Sequence, residues 1–232
     1  GVHGWTALHL ITDVRKPGTG SNDPAPPGSG SLDSLGMVRR LVAKGARINA
    51  QTTRGRAIGM TSLNTEGATP FLLAARTADT ELMRLFIELG ADPKIATSDK
   101  TTPLMAAAGV GTRSPGEDAG TETEALEAVK YLVESGADVN AVNDFGDTAV
   151  HGVAYKHFPS VAAYLTAHGA DLRVWNSKNR HGWTPLRIAV GVHRGMNLRQ
   201  SPETAEVLRK VMSVAGVSTE VEPEAVISGA TK

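Results

Sequence analysis

The 232-residue chain has no cysteine, few aromatic residues (three Trp, three Tyr, four Phe) and no net charge. Each shortage excludes something. Without cysteine there are no disulfides, no thiolate metal sites and no haem attachment through a CxxCH run. With 24 basic and 24 acidic residues, nothing in the overall charge draws the chain to nucleic acid or a membrane surface. No apolar run approaches the ~18 residues of a transmembrane helix. Neither HExxH nor GxSxG occurs, and the run "GVGTRSPG" (Gly109–Gly116) lacks the GK[ST] ending of a phosphate loop. Glu122 and Glu124 lie in a polar stretch, where a solvated face is the default reading. The sequence therefore gives no reason to expect an enzyme, a cofactor or a metal. The 41% hydrophobic content is that of a globular chain.

What the chain does contain is repetition. The tetrapeptide "HGWT" occurs at His3–Thr6 and again at His181–Thr184. Aligned on threonine, five segments correspond: "GWTALHL", "GATPFLLAA", "TTPLMAAA", "GDTAVHGVA" and "GWTPLRIAV", at Thr6, Thr69, Thr102, Thr148 and Thr184. A glycine signature follows each, in "KGARINA", "LGADPKI", "SGADVNA", "HGADLRV" and a degenerate "AGVSTE", at Gly45, Gly90, Gly136, Gly169 and Gly216. Thr69 to Gly90 and Thr148 to Gly169 both span 21 residues, and Gly90 to Thr102 and Gly136 to Thr148 both span 12. The underlying period is 33.

Each part of a unit has a physical reading. Threonine before proline is a helix N-cap followed by a residue whose missing N–H costs nothing at the first helical position. Thr69-Pro70, Thr102-Pro103 and Thr184-Pro185 have this form. A short, alanine-rich first helix follows, then a longer second helix with an apolar stripe, as in Leu82, Met83, Leu85, Phe86 and Leu89. Glycine ends the second helix. The 12 residues that remain suffice for a turn or hairpin.

Two signatures alternating over five units resemble the ankyrin repeat family, whose period is 33 and whose hallmark is T-P-L-H-x-A. The inter-helix insertions make the likeness closest to bacterial-type ankyrin repeat proteins. The resemblance implies an all-α solenoid of five stacked helix-turn-helix units with short hairpin connectors. The units run over about 3–50, 66–98, 99–142, 145–177 and 181–216 in a single array, 1–216, with 217–232 as a C-terminal cap or flexible tail. The chain opens inside a motif, without methionine, which reads as an excised fragment whose first unit had a predecessor or cap. The compartment, bacterial cytoplasmic or secreted, stays open.

Beyond the 33-residue frame, units one, three and five carry extra residues between their helices, around "RKPGTGSNDPAPPGSGSLDS", "GVGTRSPGEDAGTETE" and "HRGMNLRQSPET". The connector after Gly45 carries 12 extra residues and that after Gly169 carries three. The path of the helices predicts that inter-helix insertions lie at the end of the stack away from the connectors, separated from one another by the intervening units.

The resemblance also assigns roles. His9 and His151 hold the histidine place of the hallmark and are expected to make structural hydrogen bonds, though Leu72, Met105 and Arg187 stand there in the other units. It further implies protein–protein recognition through the hairpin fingers and first helices, by a domain that is monomeric, of a partner protein of unknown identity or of another domain of the parent chain. The scarce aromatics near the fingers, Trp5, Phe145, Trp175 and Trp183, together with Asp147 and His181, are the candidate contacts; local packing is the alternative for each tryptophan. Tyr131 and Tyr164 match Leu85 and are expected in the core. A ligand-binding or accessory domain of a larger secreted enzyme assembly, and a structural spacer, are the alternative functions. Charge is uneven along the chain: Asp171–Lys210 holds eight basic and three acidic residues, and Glu117–Asp138 seven acidic residues and one lysine.

Overall fold

Five threonines start five first helices in the computed structural model, which describes residues 2–18, 32–194 and 197–221. These helices are α1 (Ala7–Arg15), α3 (Pro70–Arg76), α5 (Pro103–Ala108), α7 (Ala149–Lys156) and α10 (Pro185–Val190). The second helices are α2 (Ser34–Ala43), α4 (Thr80–Glu88), α6 (Glu122–Glu134), α8 (Pro159–Ala167) and α11 (Pro202–Val214). The side chains of Thr69, Thr102, Thr148 and Thr184 accept from the backbone N–H three residues on. This satisfies one of the donors that every helix start leaves open. Each second helix is followed by a glycine with φ between +69° and +98° (Gly45, Gly90, Gly136, Gly169, Gly216), a conformation costly for other residues.

The helices stack in two layers. In the inner layer α3 packs between α1 and α5, and α7 between α5 and α10; in the outer layer α6 packs between α4 and α8, and α8 against α11. One apolar core runs through all five units, from Leu8 and Val38 through Phe71, Phe86, Leu132 and Leu165 to Leu208 and Met212. Small residues at Ala74, Ala75, Ala107, Ala108 and Ala154, all buried, let the inner helices approach closely. Tyr131 and Tyr164 meet the core expectation in part: both pack against the core but are half-buried on the outer layer, under Arg84 and Lys130 at 4.5 and 5.7 Å. Their long rings reach past the core to solvent, where a cation covers the face.

Connectors form fingers closed by backbone bonds, such as Asn143 N to Asp147 O (3.0 Å) and Asn179 N to Trp183 O (3.0 Å). Fingers are also tied to one another: Thr53, Ser98, Asp144 and Arg180 each donate a backbone N–H to the preceding finger, at His3, Glu66, Asp99 and Phe145. The three extra residues after Gly169 form part of a helical turn, α9 (Leu172–Trp175). The unit-five insertion is a hairpin, with β1 (Val192–Arg194) antiparallel to β2 (Asn197–Arg199). Of the terminal stretch, Val217 and Val221 pack on the core, while 222–232, like most of the unit-one insertion (19–31), lie outside the described residues.

The expected separation of the insertions does not hold. The long connector after unit one crosses the inner layer and meets the unit-three insertion in an antiparallel bridge, Thr61 with Thr112, reinforced by Ser62 N to Gly111 O (2.7 Å) and Arg113 N to Met60 O (3.0 Å). Arg199 of the unit-five hairpin reaches Ser114 in the same insertion at 3.3 Å, and Lys16 from unit one pairs with Glu124 at 2.5 Å. Backbone pairing and polar contacts join these segments across units, and spacing along the chain carries no sign of it.

Candidate interaction surface

The hallmark histidines sit inside the scaffold. His9 Nδ1 accepts the Thr6 N–H (3.1 Å), and Nε2 lies 3.1 Å from the Ala68 carbonyl. His151 repeats this with the Thr148 N–H (3.2 Å) and the Ser177 carbonyl (3.2 Å). An Nδ1 that accepts leaves the proton on Nε2, so each ring is the neutral Nε2–H form, bridging a helix start to the next connector. Burial holds both below the usual histidine range.

First helices were expected to share in binding, and the structure corrects this for units two to four. Every residue of α3, α5 and α7 is buried. Ile58 and Leu63 of the long connector pack on Leu72, Leu73 and Ala106. Over the helix ends, the unit-three insertion is anchored by a buried ion cluster. Asp118 accepts from Arg76 at 2.8 Å and stands 4.0 Å from Lys156 Nζ, and all three side chains are at most 3% exposed. Lys156 also donates to the Ala119 carbonyl. Burial pushes its pKa down to about 8 against the attraction of Asp118.

The six candidate contacts separate into two groups. Trp5 is 8% exposed: Arg56 covers its ring at 4.1 Å and its N–H donates to the Arg54 carbonyl at 3.2 Å. Trp175, on α9, is 1% exposed and belongs to the core. Asp147 is turned inward and accepts from Asn179 Nδ2 at 2.7 Å. These three offer a partner no usable surface, because the extra connector residues place Trp5 under a strap and Trp175 on a helical turn facing the core.

Phe145, His181 and Trp183 are brought together at the fingers of units four and five. Arg180 lays its guanidinium 3.8 Å from the centre of the Phe145 ring, and its Nε is 3.3 Å from His181 Nε2. The His181 ring stacks on Trp183 at 4.9 Å with a 27° tilt. Phe145, Arg180, His181 and Trp183 thus form one row of planar groups across two fingers; Arg180 and His181 are exposed, Phe145 and Trp183 half-buried. Sequence reasoning missed Arg180. Its signal lies in the finger register: in units three to five the residue four before the threonine bonds to the residue three before the preceding threonine, which puts Arg180 beside Phe145.

Beside the row is a polar cleft of about 50 Å³, lined among others by Leu63, Val110, Asp147 and Tyr155. Ligand sites usually measure roughly 300–1,000 Å³. A more open recess of about 390 Å³ lies by α9, where Asp171 and Arg173 are paired with each other at 2.6 Å. Among the described residues no group of three or more His, Cys, Asp or Glu could hold a metal ion, and no helix is long and apolar enough to cross a membrane.

A stack of threonine-capped helix pairs ending in left-handed glycines, with tied fingers along one edge, defines a repeat solenoid. Comparison with known proteins places it: the family model described as ankyrin repeats (3 copies) matches residues 119–209, and that for a single ankyrin repeat matches 66–98. The chain belongs to the ankyrin repeat family, whose repeats generally mediate protein–protein interaction. It is 30% identical over 177 residues to neurogenic locus notch homolog protein 1 of Xenopus tropicalis, covering 67% of this chain and 6% of that protein. It is 27% identical over 224 residues to the B-cell lymphoma 3 protein homolog of Mus musculus, covering 95% and 38%. An ankyrin repeat and KH domain-containing protein of Caenorhabditis briggsae is 28% identical over 168 residues, covering 64% and 6%. The chain thus spans a small part of these relatives. They are animal proteins, and none bears on the bacterial-type likeness.

Proposed function

We propose that the chain recognises a partner protein through the finger edge of units four and five, and not through its first helices. The stacked row of Phe145, Arg180, His181 and Trp183 carries this reading. Arginine and tryptophan are the side chains that most often anchor protein interfaces, because they combine a large flat contact with polar edges. Here the stacking orders them in advance, which lowers the entropy lost on binding. The excess of basic residues between Asp171 and Lys210 steers acidic partners toward this edge. A structural spacer has no need of such a row, and the small cleft beside it does not favour a ligand-binding domain.

The test is affinity capture with wild type and an Arg180→Ala/Trp183→Ala variant whose circular dichroism and unfolding midpoint match. Loss of a defined set of bound proteins with the variant supports the reading. Identical sets sink it. A Val142→Ala control, at an exposed apolar finger residue outside the row, leaves the set unchanged.

A further inference from the structure

The repeat lets each position be compared with its counterparts. Eight residues before the helix-ending glycine stand Leu82, Ala128, Val161 and Leu208 in units two to five, all 0% exposed; in unit one Met37 stands there at 42%. Within the described array, unit five has a neighbour only before it and unit one only after it. That place is therefore covered by the preceding unit. Seven residues before the glycine the pattern reverses: Val38, Met83, Val129 and Ala162 are 0% exposed, and Arg209 of unit five is exposed. On the first helix, the fourth residue after the threonine also faces backward. Leu73 clusters with Trp5 of the preceding unit, and a Cβ at Gly152 would meet the backbone of Ala108 and Val110 at 2.7–3.0 Å. Its unit-one counterpart, Leu10, is 42% exposed beside Val14 at 44%.

The two ends of the array differ in kind. On the second helix, the places ten, seven and three before the glycine read Leu35, Val38 and Val42 in unit one. In unit five they read Glu206, Arg209 and Ser213, all exposed. The last unit presents a wholly polar, charged face where its counterparts present an uncharged and mainly apolar one, while the outer face of unit one keeps Leu10, Val14 and Met37.

We propose that this outer face is a stacking surface for one further ankyrin-type helix pair ahead of unit one, whose second helix presents an uncharged, mainly apolar face like that of Thr80, Met83 and Ile87. It continues the interface already repeated four times in the array. A second copy of the chain, stacked head to tail, does not fit: it would set Glu206 and Arg209 against Met37 and bury those charges without partners.

The test duplicates residues 66–98 in place of Gly1–Val2, which keeps 12 residues from the duplicate's glycine to Thr6. In repeat arrays each neighbour interface adds to stability, so the thermal midpoint rises by about 5 °C and amide exchange in α1 slows by about tenfold. Met37→Lys in the same fusion abolishes both gains, whereas Met37→Lys in the original chain, at an exposed position, moves the midpoint by about 1 °C or less. No rise in the fusion, or a rise that survives Met37→Lys, overturns the proposal. Sedimentation of the original chain gives a monomer; a dimer dissociated by Leu10→Lys/Met37→Lys assigns the face to a second copy and overturns it as well.

Discussion

Thr61 and Thr112 pair in an antiparallel bridge that joins a connector to an inter-helix insertion. The bridge closes the strap over α3 and α5, so the inner layer of units two and three is roofed by the chain itself. That contact withholds those inner helices from solvent, and it makes the strap part of the fold.

Leu63, at 7% exposure, anchors the strap on Leu72, Leu73 and Ala106 together with Ile58. Leu63→Ala is expected to lower stability by about 2–3 kcal/mol, the usual cost of truncating a buried leucine. Urea unfolding measures it. A loss under about 0.5 kcal/mol, the range of ordinary surface changes, would mean that the strap lies loosely on the helices.

Two ion pairs of similar length should differ widely in worth. Asp118 with Arg76 (2.8 Å) is buried on both sides, and removing one partner leaves a charge in the interior; Asp118→Ala is expected to cost about 3 kcal/mol. Glu124 with Lys16 (2.5 Å) is 39% and 27% exposed, and Glu124→Ala is expected to cost about 1 kcal/mol or less. Equal losses in denaturant unfolding would contradict the assignment of burial as the deciding factor.

Lys156 sets a pH dependence. Its folded pKa, about 8, lies below the ordinary 10.5. Between these values the unfolded chain keeps a proton that the folded chain has released, so stability rises with pH through that window. Below pH 8 both states are protonated and the cost of the buried charge is present in full. Unfolding midpoints at pH 8 and pH 10 should therefore diverge between wild type and Lys156→Met. Parallel behaviour would assign Lys156 an ordinary pKa.

The hallmark histidines act on the acid side. His9 and His151 are held below 6.5 by burial. As pH falls through 6.5, the unfolded chain takes up protons first and stability is lost. Nitrogen-15 spectra should show both rings as the Nε2–H tautomer at pH 7. His151→Leu leaves the Thr148 N–H and the Ser177 carbonyl without their partner and is expected to cost about 1–3 kcal/mol. A His151 that titrates above 6.5 would refute the bridging role.

The two "HGWT" segments show how far local sequence reaches. Thr6 and Thr184 start equivalent helices, as their spacing from the other three threonines implies, and the glycines end the second helices by the conformational freedom that only glycine has. These features depend on residues a few places apart, so they can be read along the chain. The fates of Trp5 and Trp183 cannot. They hold the same place in their units, yet Trp5 lies under Arg56 and the strap while Trp183 joins a half-buried row with His181, Arg180 and Phe145. The sequence by itself determined the repeat, the caps, the glycine stops and the family. Tertiary structure alone decided which inner helices are roofed over, that Trp175 turns into the core, and that Arg180 stands over Phe145. Those outcomes follow from burial and from the register between neighbouring fingers, interactions among residues far apart in the chain.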